Sequence, residues 1–185
     1  MSDLTGRVWL FGNNIDTEVM LPTVVLMRPR AEQAAHVLSA VRPGWAELVR
    51  PGDIIVAGES FGIGSGRPAP RVLKDLGIAA VVADSVAGLF LRGAVTEGLP
   101  CVAAPGVSAG FAEGDELELE FAGWTIVNRR TGARYAGQGI PGRLGAMMLS
   151  GGVMPFLFEN GYIAAPRPLP AGPALRLGVK TRPGL

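Results

Sequence analysis

The sequence predicts an α/β fold, with a parallel or mixed sheet and flanking helices. Short apolar runs at residues 53–57 (DIIVA), 78–83 (IAAVVA) and 100–103 (PCVA) read as buried strands. The first two are each followed by a helix-forming segment, 68–76 and 86–96, closed by Gly77 and Gly98. The resulting order, strand–helix–strand–helix–strand, is what parallel neighbours joined by helical crossovers require.

Ahead of this block, residues 7–11 (RVWLF) form a first expected strand, and 12–22 a polar turn leading into a short apolar run. Residues 29–41 (PRAEQAAHVLSAV) begin with Pro and continue with good helix formers, so a helix is expected there. The pattern changes after Gly106. Residues 116–121 (ELELEF) alternate charged and apolar side chains, as a half-exposed strand does. The segments 124–129 and 133–136 continue a meander, with Thr131-Gly132 as the turn. Residues 141–149 and 153–160 read as a helical pair split by Gly151-Gly152. Residues 1–163 make one domain. Residues 164–185 carry five prolines and are expected to form a poorly ordered or surface-draped tail.

Composition narrows the function classes. With 48% hydrophobic and 18% charged residues, the 185-residue chain suits a packed globule. A formal net charge of +1 offers no basic field for a phosphate backbone, which argues against a nucleic-acid partner. Cys101 is the only cysteine, so no disulfide forms within the chain, and one thiolate cannot hold an iron–sulfur cluster. The first residues lack an apolar signal core, and no apolar run reaches membrane-spanning length. No membrane association and a cytoplasmic location are expected.

The chemistry concentrates in residues 53–83. A strand runs into GESFGIGSG (58–66), and a helix follows at about Arg67 or Pro68. Glycines let backbone approach a ligand closely. The first N–H groups of a helix lack intrahelical partners and sit at the positive end of its dipole, which favours an anion. Arg67 adds a planar fork suited to a carboxylate, and Ser65 adds a hydroxyl that such donors can help ionise.

In this segment, AGESFGIGSGR (57–67) followed by LKDLGI (73–78) resembles the small-subunit signature of the 3-isopropylmalate dehydratase family, G-x-N-F-G-x-G-S-S-R-E then L-K-D-x-G-I. NIDTEVMLP (14–22) resembles that family's N-I-D-T-D-x-I-I-P, DSVAGLF (84–90) its S-F-A-D-I-F, and Gly98-Leu99-Pro100 its G-L-L-P turn. The resemblance implies an aconitase-type swivelling β/β/α domain. It implies a hydro-lyase that removes water from a hydroxy acid and returns it at the neighbouring carbon. It also implies a separate large subunit carrying a [4Fe–4S] cluster, with no cofactor in this chain. Carried over residue by residue, Ser65 is the catalytic base and Asp16 the acidic residue near it. Arg67 binds a substrate carboxylate beside Gly64 and Gly66, and Val25, Leu26 and Met27 fall on the loop that selects the substrate's branch.

The sequence departs from the signature at Gly66, which replaces the second serine, and at Pro68, which replaces the glutamate. The family's histidine after that has no match. Gly66 removes a hydroxyl, and Pro68 remains compatible with a first helical turn. Two alternatives accompany this reading. One is a non-catalytic or regulatory homologue of the same domain. The other is a dinucleotide-binding module, against which the spacing G-x-G-x-G stands.

Overall fold

A computed structural model describes residues 3–164 of the chain; all but the first residue of the tail expected at 164–185 lies outside the described residues. Seven strands form one curled sheet in the order β4-β3-β2-β1-β5-β6-β7. The strands are β1 (Leu4–Phe11), β2 (Ile54–Ala57), β3 (Ala80–Ala83), β4 (Cys101–Ala103), β5 (Glu116–Glu120), β6 (Thr125–Asn128) and β7 (Arg134–Ala136). β1 to β4 run parallel, whereas β5 to β7 form an antiparallel meander.

β1 belongs to both halves. Its first residues, Leu4–Arg7, pair antiparallel with β5, and its last, Val8–Phe11, pair parallel with β2. The changeover is tight: a Cβ on Gly6 would lie 2.1 Å from the Gly52 carbonyl oxygen. No side chain fits there.

β2 and β3 are buried along their whole length, the pattern of parallel strands covered on both faces. Trp9, Phe11, Ile55, Ala57, Val81, Ala83 and Cys101 face helices α5 (Ala69–Leu76) and α6 (Gly88–Glu97) in one core. Val8, Ile54, Val56, Ala80, Val82 and Val102 face Val107, Phe111, Leu117, Leu119 and Ile126 of the meander side in the other. The layers are therefore meander, parallel sheet and helices, the expected β/β/α arrangement. A doubly wound nucleotide-binding sheet carries helices on both faces. Here one face is taken by β-structure, which removes the dinucleotide-binding alternative. The outer face of β5 pairs Glu118 with Arg129 and Glu120 with Arg134, so its acidic alternation is a solvated strand face.

Both crossover helices stop where the sequence places a glycine, Gly77 at φ 108° and Gly98 at φ 68°, conformations that L-residues with a Cβ avoid. The C-terminal helices α7 (Gly142–Leu149) and α8 (Val153–Glu159) form the expected pair.

The continuous helix expected over 29–41 is not formed. Between β1 and β2 the chain instead makes four one-turn helices: α1 (Thr17–Met20), α2 (Thr23–Leu26), α3 (Arg30–Gln33) and α4 (Trp45–Leu48). A single 3-10 turn, Ala34–His36, extends α3. Val37 is then extended and Leu38 takes φ +59°, while its N–H donates to the Met20 carbonyl at 2.8 Å. Both side chains are fully buried. A straight helix could not seat two adjacent residues in this way, so core packing overrides local propensity.

Two buried carboxylates anchor the sheet. Asp53 accepts from the Arg7 guanidinium, from Trp9 Nε1 at 2.7 Å and from the Arg50 N–H at 2.9 Å. Burial alone pushes its carboxyl up, but these donors outweigh that and hold it below the usual range. Asp115 accepts from Arg130, from the Ala112 N–H and from Asn128 Nδ2, and these bonds hold it well below the usual range. No helix among the described residues is long and apolar enough to cross a membrane.

Two outcomes follow from this architecture. Gly6→Ala should destabilise the chain by about 1–3 kcal/mol, the cost of overpacking against fixed backbone, visible as a lower melting temperature. An unchanged melting temperature would contradict the close approach at β1. Asp115, with a depressed folded-state pKa, contributes stability above its unfolded value near ~3.9 and loses it as pH falls below that. Urea titrations between neutral pH and acid should show this decline, and Asp115→Asn should be weaker at neutral pH but fall less steeply.

Candidate active site

The glycine-rich loop leaves the carboxyl end of β2 and is fastened on both sides. On the β1 side, Asn13 Oδ1 accepts from the Glu59 N–H at 2.9 Å and the Asn14 N–H donates to the Glu59 carbonyl at 2.8 Å. Further along, the Gly62 N–H donates to the Ile15 carbonyl at 2.7 Å and the Thr17 N–H to the Ile63 carbonyl at 2.8 Å. On the β3 side, the Phe61 N–H donates to the Ser85 carbonyl, and the Ala87 N–H to the Phe61 carbonyl. Phe61 is fully buried and meets Phe90 edge-to-face, with centroids 5.2 Å apart. Gly62 lies so close to that ring that a Cβ would sit 2.3 Å from Phe90 Cγ. The loop is thus zipped between its two neighbouring loops, at the carboxyl ends of parallel strands where α/β sheets gather their ligands.

Past this zipped stretch, residues 64–66 emerge to solvent. Thr17 Oγ1 donates to the Ser65 carbonyl at 2.7 Å, and the Arg67 N–H reaches the same oxygen at 2.8 Å. These bonds fix the backbone at Ser65 while its side chain stays open. Arg67 Nε donates to Ser65 Oγ at 3.3 Å, so hydroxyl and guanidinium sit side by side. Ser65, Gly66 and Arg67 line a pocket of about 160 Å³ together with Thr17, Pro70 and residues of α6.

Arg67 is firmly held. One terminal nitrogen donates to the Leu21 carbonyl at 2.8 Å, and the other to Glu18 Oε1 at 2.8 Å. Both also approach Thr23 Oγ1 at 3.4 Å. The family signature supplies a glutamate next to the arginine, and here that place is Pro68. The carboxylate comes instead from Glu18, across the pocket rim on α1. Sequence reasoning did not single out Glu18; its place in the NIDTE segment was the available signal.

The helix itself starts at Ala69, later than expected, with Pro68 as an N-cap that makes no side-chain bond. Asp16 is the N-cap of α1, where its Oδ1 accepts from the Glu18 and Val19 N–H groups at 2.7 and 2.8 Å. Asp16 also bridges to Ile63, so it stands beside the loop, but Thr17 rather than Asp16 lines the pocket. Gly64, at φ +97°, would bring a Cβ within 3.2 Å of Thr17 Oγ1 and supplies the turn that presents Ser65. Gly66 is under no such constraint: a Cβ there would meet Leu89 at an ordinary 3.5 Å. Of the expected branch-selecting residues, Val25 is buried in the core, Leu26 packs against it, and Met27 is open to solvent. None of the three lines the Ser65 pocket.

One face of α6 completes the wall: Leu89, Arg92, Gly93 and Thr96, spaced i, i+3, i+4, i+7. Sequence reasoning missed these residues; two polar side chains at helical spacing on a largely apolar helix were the signal. The donor set of this chain does not suit an iron–sulfur cluster. The thiol of Cys101 is buried in β4, which pushes its pKa up to about 12. No three His, Cys, Asp or Glu residues gather into a metal site among the described residues.

Comparison with known proteins bears on the family and the fold. The aconitase C-terminal domain family matches residues 42–105. The chain is 42% identical over 158 residues to the isopropylmalate/citramalate isomerase small subunit of Methanocaldococcus jannaschii, covering 84% of this chain and 94% of that protein. It is 36% identical to the 3-isopropylmalate dehydratase small subunit of Heliobacterium modesticaldum, covering 84% and 95%. It is 42% identical to the methanogen homoaconitase small subunit of Methanothermobacter thermautotrophicus, covering 71% and 77%. The crystal structure of a 3-isopropylmalate dehydratase chain from M. jannaschii superposes with a TM-score of 0.81 at 29% identity, covering 87% of this chain and 96% of that one. With sequence and fold both matching along most of its length, the chain belongs to the 3-isopropylmalate dehydratase small-subunit family of the aconitase superfamily.

Proposed function

We propose that the chain is the proton-transfer half of a hydro-lyase, acting with a separate large subunit that carries a [4Fe–4S] cluster. Its substrate is a hydroxy acid of the isopropylmalate or homocitrate type. The observation that carries this reading is the pairing of Ser65 Oγ with Arg67 Nε at 3.3 Å on an open pocket. A buried pair could not reach a substrate presented by another polypeptide, whereas this one faces outward.

Ser65, as alkoxide, takes the proton from the carbon next to the hydroxyl-bearing one. The carbon–hydrogen electron pair forms the double bond and the carbon–oxygen bond breaks, releasing hydroxide, a leaving group that the large subunit's cluster would stabilise. Re-addition of hydroxide at the neighbouring carbon is matched by return of the Ser65 proton to the carbon that had carried the hydroxyl. A serine is a poor base unless its anion is stabilised, and the adjacent guanidinium is placed to do so. Thr17 and Glu18 act as positioning residues, one through the Ser65 carbonyl and the other through Arg67. Asp16 acts one step further back, by capping the helix that carries both. A substrate carboxylate reaches Arg67 by displacing its long contacts to Thr23, leaving the Ser65 contact and the shorter bonds intact. Docking of the large subunit over the pocket excludes water from this exchange.

Co-expression with the large subunit and an absorbance assay for the unsaturated acid tests the reading. Ser65→Ala should lower kcat by about 100- to 10,000-fold, the usual contribution of a positioned base; equal rates would remove Ser65 from the mechanism. Gly66→Ser should fold normally, because its Cβ meets only Leu89 at contact distance. The added hydroxyl should lower KM roughly tenfold, the equivalent of one charge-assisted bond of about 1.5 kcal/mol. An unchanged KM would show that the pocket does not use that position.

A further inference from the structure

The Ser65 pocket is lined by two guanidiniums and no carboxylate. Arg67 contributes one and Arg92, from α6, the other; the remaining lining residues are uncharged. The two cations are in different states. All three nitrogens of Arg67 have partners in Ser65, Leu21, Thr23 and Glu18. The Arg92 side chain is exposed, and among the described residues its guanidinium makes no ion pair or hydrogen bond. Its backbone is nevertheless fixed. The Arg92 carbonyl accepts from Thr96 Oγ1 at 2.9 Å, and neighbouring Gly93 lies so near Pro70 of α5 that a Cβ would be 3.1 Å from Pro70 Cγ. Arg92 therefore projects from a tightly seated helix face beside Ser65.

Glu18 balances Arg67 from the rim, so Arg92 is the lining cation left without a carboxylate partner among the described residues, and it favours an anionic group of the ligand. We propose that Arg92 is a substrate-binding residue, which takes a carboxylate of the hydroxy acid other than the one held by Arg67. This rests on the reading of the pocket as half of a hydro-lyase site. It adds a binding residue outside the glycine-rich loop. A planar guanidinium favours this task over an ammonium because it can grip both carboxylate oxygens.

The test uses Arg92→Gln and Arg92→Lys in the complex with the large subunit. Arg92→Gln should raise KM for a dicarboxylic substrate by about 10- to 100-fold, with kcat falling only a few-fold, and Arg92→Lys should recover part of the loss. An unchanged KM overturns the proposal. So does an equal fall in kcat and kcat/KM, which would place Arg92 in the transition state alone. If the wild-type complex turns over no hydroxy acid, the functional reading fails, and binding to the full chain decides the inference by itself. Titration with malate should then shift the Nε–H resonance of Arg92. Malate should also bind more tightly than lactate to wild-type chain, but no more tightly than lactate to Arg92→Gln. An unmoved Arg92 resonance in that titration, or a preference for malate that survives the substitution, overturns it.

Discussion

A single strand must serve both the antiparallel and the parallel half of the sheet, and the placing of the site follows from how it does so. β1 enters against the antiparallel meander and leaves against parallel β2, changing partners within eight residues. That is possible only where the backbones of residues 6 and 52 nearly touch. Asp53 secures the crossing from beneath by tying Arg7 and Trp9 of β1 to the start of β2. The exit of β1 is thereby held next to the exit of β2, and the loops that follow them meet. Residues 13–17 can then bond along 59–65, and the glycine-rich loop gains a backing it could not supply for itself.

This backing makes the site a rigid presentation of a few groups. Ser65 is fixed through its carbonyl, leaving its hydroxyl with only the long contact from Arg67 Nε. Arg67 is fixed through its guanidinium, which limits how much of its donor capacity a ligand can claim. The acidic partner that steadies it comes from α1 rather than from its own segment. The substitution of Pro68 for the family's glutamate is thus met by a contact from a different part of the chain. Loss of the local residue did not leave the arginine unsupported.

Much of the layered fold was legible because strong local patterns and tertiary demands coincide. The uniformly apolar β2 and β3 need burial on both sides, the alternation in β5 needs one wet face, and Gly77 and Gly98 end helices that could not continue past them. The segment from 29 to 41 failed because its composition favours a helix while Val37 and Leu38 must enter the core together, a requirement invisible without their surroundings. At the site, the Ser65–Arg67 pairing could be read because both lie in one short loop. Glu18 and Arg92 could not, because each reaches the pocket from an element distant in sequence and their residue types are common on any surface. Val25 illustrates the converse: a position on an aligned loop can turn inward when the helix it sits on is a single turn.

The end of α6 rests on the turn between α7 and α8 with no side chain between them. A Cβ on Gly98 would fall 2.0 Å from the Gly151 carbonyl carbon, and one on Gly152 would fall 2.6 Å from the Thr96 carbonyl oxygen. Lys74 of α5 donates to carbonyls on both sides of that seam. The C-terminal hairpin therefore works as a shim that sets the height of α6 over the glycine-rich loop. A side chain at either glycine would push against backbone and shift α6, a wall of the Ser65 pocket, so the geometry of that pocket depends on residues that do not line it.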